Sequence, residues 1–164
     1  MAYFINNCST RANHPLAMGI LRQDSTNEES WAYVFEHYAD YPDTPHSNQL
    51  RSTLVPLIER CVQAGYNQLF RAGTSMHDTV FSTLDHYGLG WEPRVIVSAV
   101  EDWRIKIRHF NIHYYDSWPH FPASCGQTVT VVPSEAFPVL TRYLQHLWTE
   151  TVPEPIPLEL RRKD

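Results

Sequence analysis

Apolar residues recur at helical spacing near residue 30, which predicts an amphipathic helix there. The stripe consists of Trp31, Val34, Phe35 and Tyr38. Two overlapping capping boxes precede it, one formed by Ser25 with Glu28 and one by Thr26 with Glu29. A capping box satisfies two backbone amides that the first helical turn leaves unpaired, so we expect the helix to begin here.

A second apolar stripe spans residues 50–62 and stops before Gly65, a residue type that commonly ends helices. Pro56 interrupts this stripe. Proline lacks an amide hydrogen and its ring clashes with the preceding turn. We therefore expect either a kinked helix or one that begins late, with Thr53 as its cap.

From Asn67 onward the pattern changes to short β-rich runs separated by turn-like segments. The runs cover residues 68–72, 79–84, 94–100, 103–110 and 127–132. Their short connections favour an antiparallel meander over a parallel sheet. In the fourth run Trp103, Ile105 and Ile107 alternate with basic residues, which predicts one buried face and one wet face. The phase shifts at His109, where we expect a β-bulge.

The last periodic stretch predicts a helix capped by Ser134. Its apolar stripe contains Phe137, Leu140, Leu144, Leu147 and Trp148. We expect this stripe to pack on the sheet, with prolines making residues 153–164 an extended tail. The fold class is therefore α+β, a single domain over residues 1–152. It should contain two N-terminal helices, an antiparallel meander of about five strands, and a C-terminal helix packed on the sheet.

Composition fits this picture, since 43% hydrophobic and 19% charged residues in a chain of 164 are typical of a globular domain. The start of the chain has no basic flank before an apolar run, so we expect no signal peptide. The apolar runs are also shorter than the ~20 residues that span a bilayer. Cys8, Cys61 and Cys125 match no metal or redox spacing, which favours reduced thiols and a cytoplasmic protein.

The net charge of −5 is unevenly distributed. Residues 23–50 hold six acidic residues and no lysine or arginine, together with several aromatic residues. Such a face suits a partner protein with a basic surface. The candidate binding residues on it are Glu28, Glu29, Glu36 and Asp40.

A second candidate surface is the aromatic segment at residues 103–121, which contains six aromatic residues and three histidines. Aromatic side chains bury large areas at low conformational cost and often anchor interfaces. Its loop portion, residues 113–121, supplies Tyr114, Tyr115 and Trp118 as candidate binding residues.

Enzymatic chemistry is the main alternative, as a hydrolase or metal-dependent enzyme built around His109, His113, Asp116 and His120. On a strand His109 and His113 would lie ~13 Å apart, too far to share an ion. We therefore expect no bound metal and no cofactor.

Other catalytic signals are weaker still. Ser75 follows Gly73 as in a nucleophile elbow, but His77 replaces the second glycine, and a turn at residues 73–75 is the simpler interpretation. Cys61 lies on the apolar stripe of the second helix and is expected in the core. Cys125 has His120 nearby in sequence, which is little evidence for a nucleophile.

A further alternative is an RNA or single-stranded DNA binder that uses Arg104, Lys106 and Arg108, although the overall charge is acidic. The leading hypothesis is a non-enzymatic protein that binds another protein, and we expect neither nucleic acid nor a membrane as its partner. In kind, an acidic α+β domain without a catalytic signature is similar to small bacterial immunity, inhibitor or adaptor proteins. That likeness assigns no residue a function.

Overall fold

A computed structural model of the chain describes residues 26–84, 93–110 and 127–157. The helices are α1 (Asn27–Ala39), α2 (Pro45–Gln63) and α3 (Pro133–Thr151). The strands are β1 (Arg71–Ser75), β2 (Asp78–Ser82), β3 (Arg94–Val100), β4 (Arg104–Phe110) and β5 (Thr128–Val131). All four strand pairs are antiparallel and follow chain order, so the sheet is a meander and the predicted α+β class is confirmed.

Local signals set where α1 and α2 begin. Thr26 caps α1 and forms the predicted capping box with Glu29. Thr44 caps α2, and Pro45 opens it with the backbone φ that a first helical turn requires. The predicted late start at Thr53 is wrong, because α2 continues through Pro56. Gly65 follows the helix with φ 83°, a conformation that glycine adopts without strain.

Strand β4 corrects two expectations. Trp103 lies outside the strand, in a short 3-10 turn over Glu101–Trp103, and is exposed rather than buried. The β-bulge at His109 is also wrong, because His109 pairs with Val95 in an unbroken register and points into the protein. The alternation continues through a histidine because its imidazole meets polar side chains of α3.

Three further boundaries differ from the sequence prediction. Residues 68–70 lie outside the sheet because a 3-10 turn at Tyr66–Gln68 delays β1 until Arg71. The expected turn at residues 73–75 is part of β1, so Ser75 precedes a β-turn and not a helix. Ser134 lies inside α3 rather than capping it, since Pro133 already opens the helix after Val132.

The core lies between the helices and one face of the sheet. Its centre contains Val95, Val97, Ile105 and Ile107 from the sheet and Leu140, Leu144 and Leu147 from α3, all buried as expected. The Trp31 indole of α1 donates a 2.7 Å hydrogen bond to the Phe70 carbonyl. Cys61 is buried as predicted, and burial raises the pKa of its thiol to about 12. This thiol therefore stays protonated and packs as a small apolar group.

Residues 153–157, the described part of the expected tail, are non-helical. The Trp148 indole donates a 2.8 Å hydrogen bond to the Glu154 carbonyl, which holds the beginning of this segment against α3. Within the described ranges, no helix has both the length and the apolarity to cross a membrane.

Candidate functional site

Three of the four predicted acidic residues form one exposed stripe along α1. Glu28, Glu36 and Asp40 are spaced by eight and four residues, which places them on the same side of a helix. The stripe is about 18 Å long at the helical rise of 1.5 Å per residue. In the part of the chain that the structure describes, none of the three forms a salt bridge. We call these three residues the acidic stripe.

Glu29 is a different kind of residue from its neighbours. Its carboxylate accepts a 2.7 Å hydrogen bond from the Thr26 backbone amide, while its own amide donates to the Thr26 hydroxyl. Glu29 therefore helps to start α1. It is a structural residue more than a candidate binding residue.

Two other acidic residues near this region are neutralised within the chain. Asp43 pairs with Arg51, and Asp78 accepts a 2.7 Å ion-paired hydrogen bond from Arg108. The acidic stripe thus differs from its neighbours in having no cation beside it among the described residues.

The β1–β2 hairpin ends in a turn that places Met76 in an unfavourable conformation. Ser75 pairs with Asp78, so the turn has two central residues, and the first of them, Met76, has φ 56°. Glycine is the usual residue at such a position, because a Cβ atom is crowded at positive φ. The Met76 side chain is 70% exposed, so burial of this side chain does not compensate for the crowded backbone.

Side chains of α1 and the segment after it hold this turn in place. The Tyr41 hydroxyl donates a hydrogen bond to the Met76 carbonyl, and His37 Nε2 lies 3.2 Å from the same oxygen. The His77 ring packs edge-to-face against Tyr41 and against His46 of α2. Partial burial raises the pKa of Tyr41, so its hydroxyl remains a donor at neutral pH.

The β3–β4 hairpin has a second unusual turn. Val100 pairs with Arg104, and between them Asp102 and Trp103 both have φ 59°. A bulky residue at positive φ is a true outlier. Trp103 is 55% exposed. The Gln49 amide of α2 donates a 3.3 Å hydrogen bond to the carbonyl of Val100, the last residue of β3 before this turn.

Both turns lie at the same end of the sheet. Asp78, the first residue of β2, pairs with Ser98 near the end of β3. This pairing places the β1–β2 turn and the β3–β4 turn at the same end of the strands. An open cleft of about 680 Å³ lies at this end, between the start of α2 and the end of β3. We name the set Met76, His77, Glu101, Asp102 and Trp103 the turn surface. It combines the large exposed side chains of Met76 and Trp103 with the carboxylates of Glu101 and Asp102. Protein interfaces commonly have this composition, with an apolar centre and a polar rim.

The basic residues of β4 are partly engaged within the sheet. Arg108 donates to Asp78 and, over 2.8 Å, to the Ser98 hydroxyl, so its charge is compensated. Lys106 is half-buried and Arg104 is exposed. The predicted basic face therefore has less uncompensated positive charge than the sequence suggested, because Arg108 is already paired.

The alternative catalytic set is described only at His109. That imidazole faces α3, where its Nε2 lies 3.0 Å from a Glu150 carboxylate oxygen, and burial lowers its pKa.

The other predicted members, His113, Asp116 and His120, lie outside the described residues, as do the candidate binding residues Tyr114, Tyr115 and Trp118. Sequence reasoning missed His146 and Glu150, although their i,i+4 spacing on a predicted helix was a visible signal.

Comparisons with known proteins give no lead to add to this geometry. No protein-family model, no curated protein and no solved structure matches the chain.

Proposed function

We propose that this protein is a non-enzymatic, cytoplasmic protein-binding protein of the inhibitor, immunity or adaptor type. Its partner is a protein with a basic surface, contacted by the turn surface and steered by the acidic stripe. The observation that carries the proposal is that Met76 and Trp103, two large exposed apolar side chains, are both held at positive φ at one end of the sheet.

Exposure of a single apolar residue is ordinary, but these two share further features. Both occupy positions where glycine would be more stable. Each turn also receives a hydrogen bond from a neighbouring segment, from Tyr41 just after α1 and from Gln49 of α2. Backbone strain that the surrounding structure maintains is concentrated at functional sites. Methionine and tryptophan are also residue types that interfaces favour at their centres. Together these features support a binding surface at these two turns, as opposed to two apolar side chains that are exposed independently.

The charges around the turn surface indicate the chemistry of the partner. Glu101 and Asp102 are exposed within it, and Asp40 of the acidic stripe lies at the end of α1, next to Tyr41, which contacts the β1–β2 turn. A carboxylate at a helix C-terminus is disfavoured by the helix dipole. A cationic partner surface would compensate Asp40 and the other carboxylates at once.

The strain at Met76 gives a prediction about stability. Met76→Gly should raise the free energy of unfolding by about 1 kcal/mol, because glycine relieves the crowding of a Cβ atom at positive φ. Met76→Ala is the matched control, since it removes the side chain and keeps the Cβ atom. Urea denaturation of both variants measures the difference. Equal stabilities for the two variants would contradict the strain.

Electrostatic steering gives a second prediction, for Glu28, Glu36 and Asp40. Reversing all three to lysine should slow association with the partner about tenfold at low salt, because steering commonly accelerates encounter by ten-fold or more. The difference between variant and wild type should shrink as salt rises, since the Debye length falls to ~3 Å at 1 M. Stopped-flow kinetics at two ionic strengths measures both effects.

The control for that experiment reverses three exposed carboxylates outside α1, at Glu59, Glu135 and Glu154. This variant carries the same change in net charge. If it slows association as much as the α1 variant does, steering depends on the net charge of the protein and not on the acidic stripe.

The partner itself is identified by affinity purification from a lysate of the source organism, with two bait proteins compared. Wild-type protein and the double variant Met76→Gly, Trp103→Gly are used side by side in affinity purification, after circular dichroism shows that both are folded. We expect at least one protein to be retained by the wild type and lost from the double variant. Identical retained sets would contradict binding through the turn surface.

Nucleic-acid binding through β4 is less well supported. Arg108 is already paired with Asp78, and the acidic stripe and turn surface would repel a phosphate backbone. Binding of the wild type to single-stranded RNA or DNA in a filter assay would favour this alternative over the proposed function.

A further inference from the structure

We propose that His109, His146 and Glu150 form a binding site for a divalent transition metal ion of the zinc type, at the junction of β4 with α3. The structure contains one cluster of this kind among its described residues. Glu150 Oε2 lies 3.0 Å from His109 Nε2, and Glu150 Oε1 lies 3.2 Å from His146 Nε2. The three donor groups all lie within 4.8 Å of one another.

These separations are close to what a tetrahedral zinc ion requires. Zinc binds imidazole nitrogen at about 2.0–2.1 Å and carboxylate oxygen at about 2.0–2.2 Å, so neighbouring ligands in a tetrahedron are roughly 3.4 Å apart. Two of the contacts already approach that value. His146 is 52% exposed, which leaves its side chain free to adjust. Two imidazoles with a glutamate are a donor set that zinc accepts, with one coordination position left open.

The state of His109 is an independent observation that favours a ligand at this place. Its side chain is only 3% exposed, yet its Nε2 has no hydrogen-bond partner. Glu150 Oε2 lies 3.0 Å away, as an ion-pair contact that requires a protonated imidazole. A buried polar atom without a hydrogen bond is costly and calls for an explanation. A metal ion beside His109 would accept the lone pair of this nitrogen.

The position of Glu150 in α3 points the same way. It lies one residue before the end of the helix, and the last turn of α3 contains no basic residue. The helix dipole disfavours a carboxylate there. A divalent cation held between α3 and β4 would reverse that unfavourable interaction. It would also tie the end of the helix to the sheet.

This inference departs from the sequence-based expectation of no bound metal. That expectation rested on the distance between His109 and His113 along an extended strand. The set proposed here contains one of those histidines and takes its other two ligands from a helix 37 or more residues later in the chain. It does not depend on the proposed function, because the turn surface uses none of the three residues.

The test uses full-length, tag-free protein titrated with zinc chloride by isothermal titration calorimetry. We expect one saturable site per chain. His146→Ala and Glu150→Gln should each weaken zinc binding by tenfold or more, since loss of even a supporting residue around a metal costs 10–100-fold in affinity. Both substitutions are preferred to His109→Ala, because removing a buried side chain is more disruptive to the fold.

The matched control is His46→Ala, which removes an exposed histidine elsewhere and should leave zinc affinity unchanged. Native mass spectrometry on the same samples reports the number of ions bound. Absence of a one-to-one complex would overturn the proposal. A loss of affinity in His46→Ala equal to that in His146→Ala would overturn it as well, because binding would then be a general property of surface histidines.

Discussion

Replacing Trp103 with glycine is expected to weaken binding to the partner about thirtyfold or more. Truncating a tryptophan at an interface hot spot costs about 2 kcal/mol or more, and about 1.4 kcal/mol corresponds to a tenfold change in affinity. The loss should appear mainly in the dissociation rate, because contacts at the centre of an interface hold a formed complex together. Surface plasmon resonance with the purified partner measures both rates.

The same substitution should leave the fold at least as stable as before. Trp103 has φ 59° and is largely exposed, so glycine removes strain and little buried area. Trp103→Phe is the matched control: it keeps an aromatic ring and the strain, and should retain most of the affinity. Unchanged affinity in Trp103→Gly would exclude Trp103 as an anchor. A marked loss of stability would show that the indole belongs to the core.

Replacing Leu144 with alanine is expected to reduce the free energy of unfolding by ~2–5 kcal/mol. Leu144 is fully buried in the core that α3 shares with the sheet. Alanine there removes buried methyl groups and leaves a cavity that the surrounding side chains fill only in part. Urea denaturation followed by circular dichroism measures the change.

An exposed residue of the same helix controls for changes in helix propensity. Arg142→Ala should alter stability by no more than ~0.5 kcal/mol, as exposed substitutions usually do. A Leu144→Ala protein as stable as Arg142→Ala would mean that α3 does not pack on the sheet as described.

Much of the fold could be predicted from local patterns because each element carries its own signal. The Thr26–Glu29 capping box, the glycine at position 65 and the stripe around Leu144 all appear where the helices begin, end and pack. Five successive β-rich runs predicted the meander, although only the β1–β2 and β3–β4 connections are as short as expected. Local patterns failed where tertiary contacts decide. His109 faces inward, where α3 places Glu150 and His146 beside it, and no pattern within β4 can indicate that.

The candidate site was predictable only in part for the same reason. Glu28, Glu29, Glu36 and Asp40 were named from the acidic charge of residues 23–50, whereas the separate role of Glu29 in capping α1 appears in the structure. The turn surface depends on hairpin register. Met76 and Trp103 take positive φ values because strand pairing leaves so few residues for each turn. Their presence at one end of the sheet becomes visible only once the strands are paired.

Site-specific photo-cross-linking tests the central claim most directly. A benzophenone amino acid is placed at position 76 in one variant and at position 63 in another. His46, near the start of α2, packs on His77, while Gln63 ends α2 about 26 Å away at 1.5 Å per residue. Both variants are irradiated with the partner. We expect cross-linking from position 76 and little or none from position 63. Equal yields from both positions, or a product from position 63 alone, would contradict binding through the turn surface.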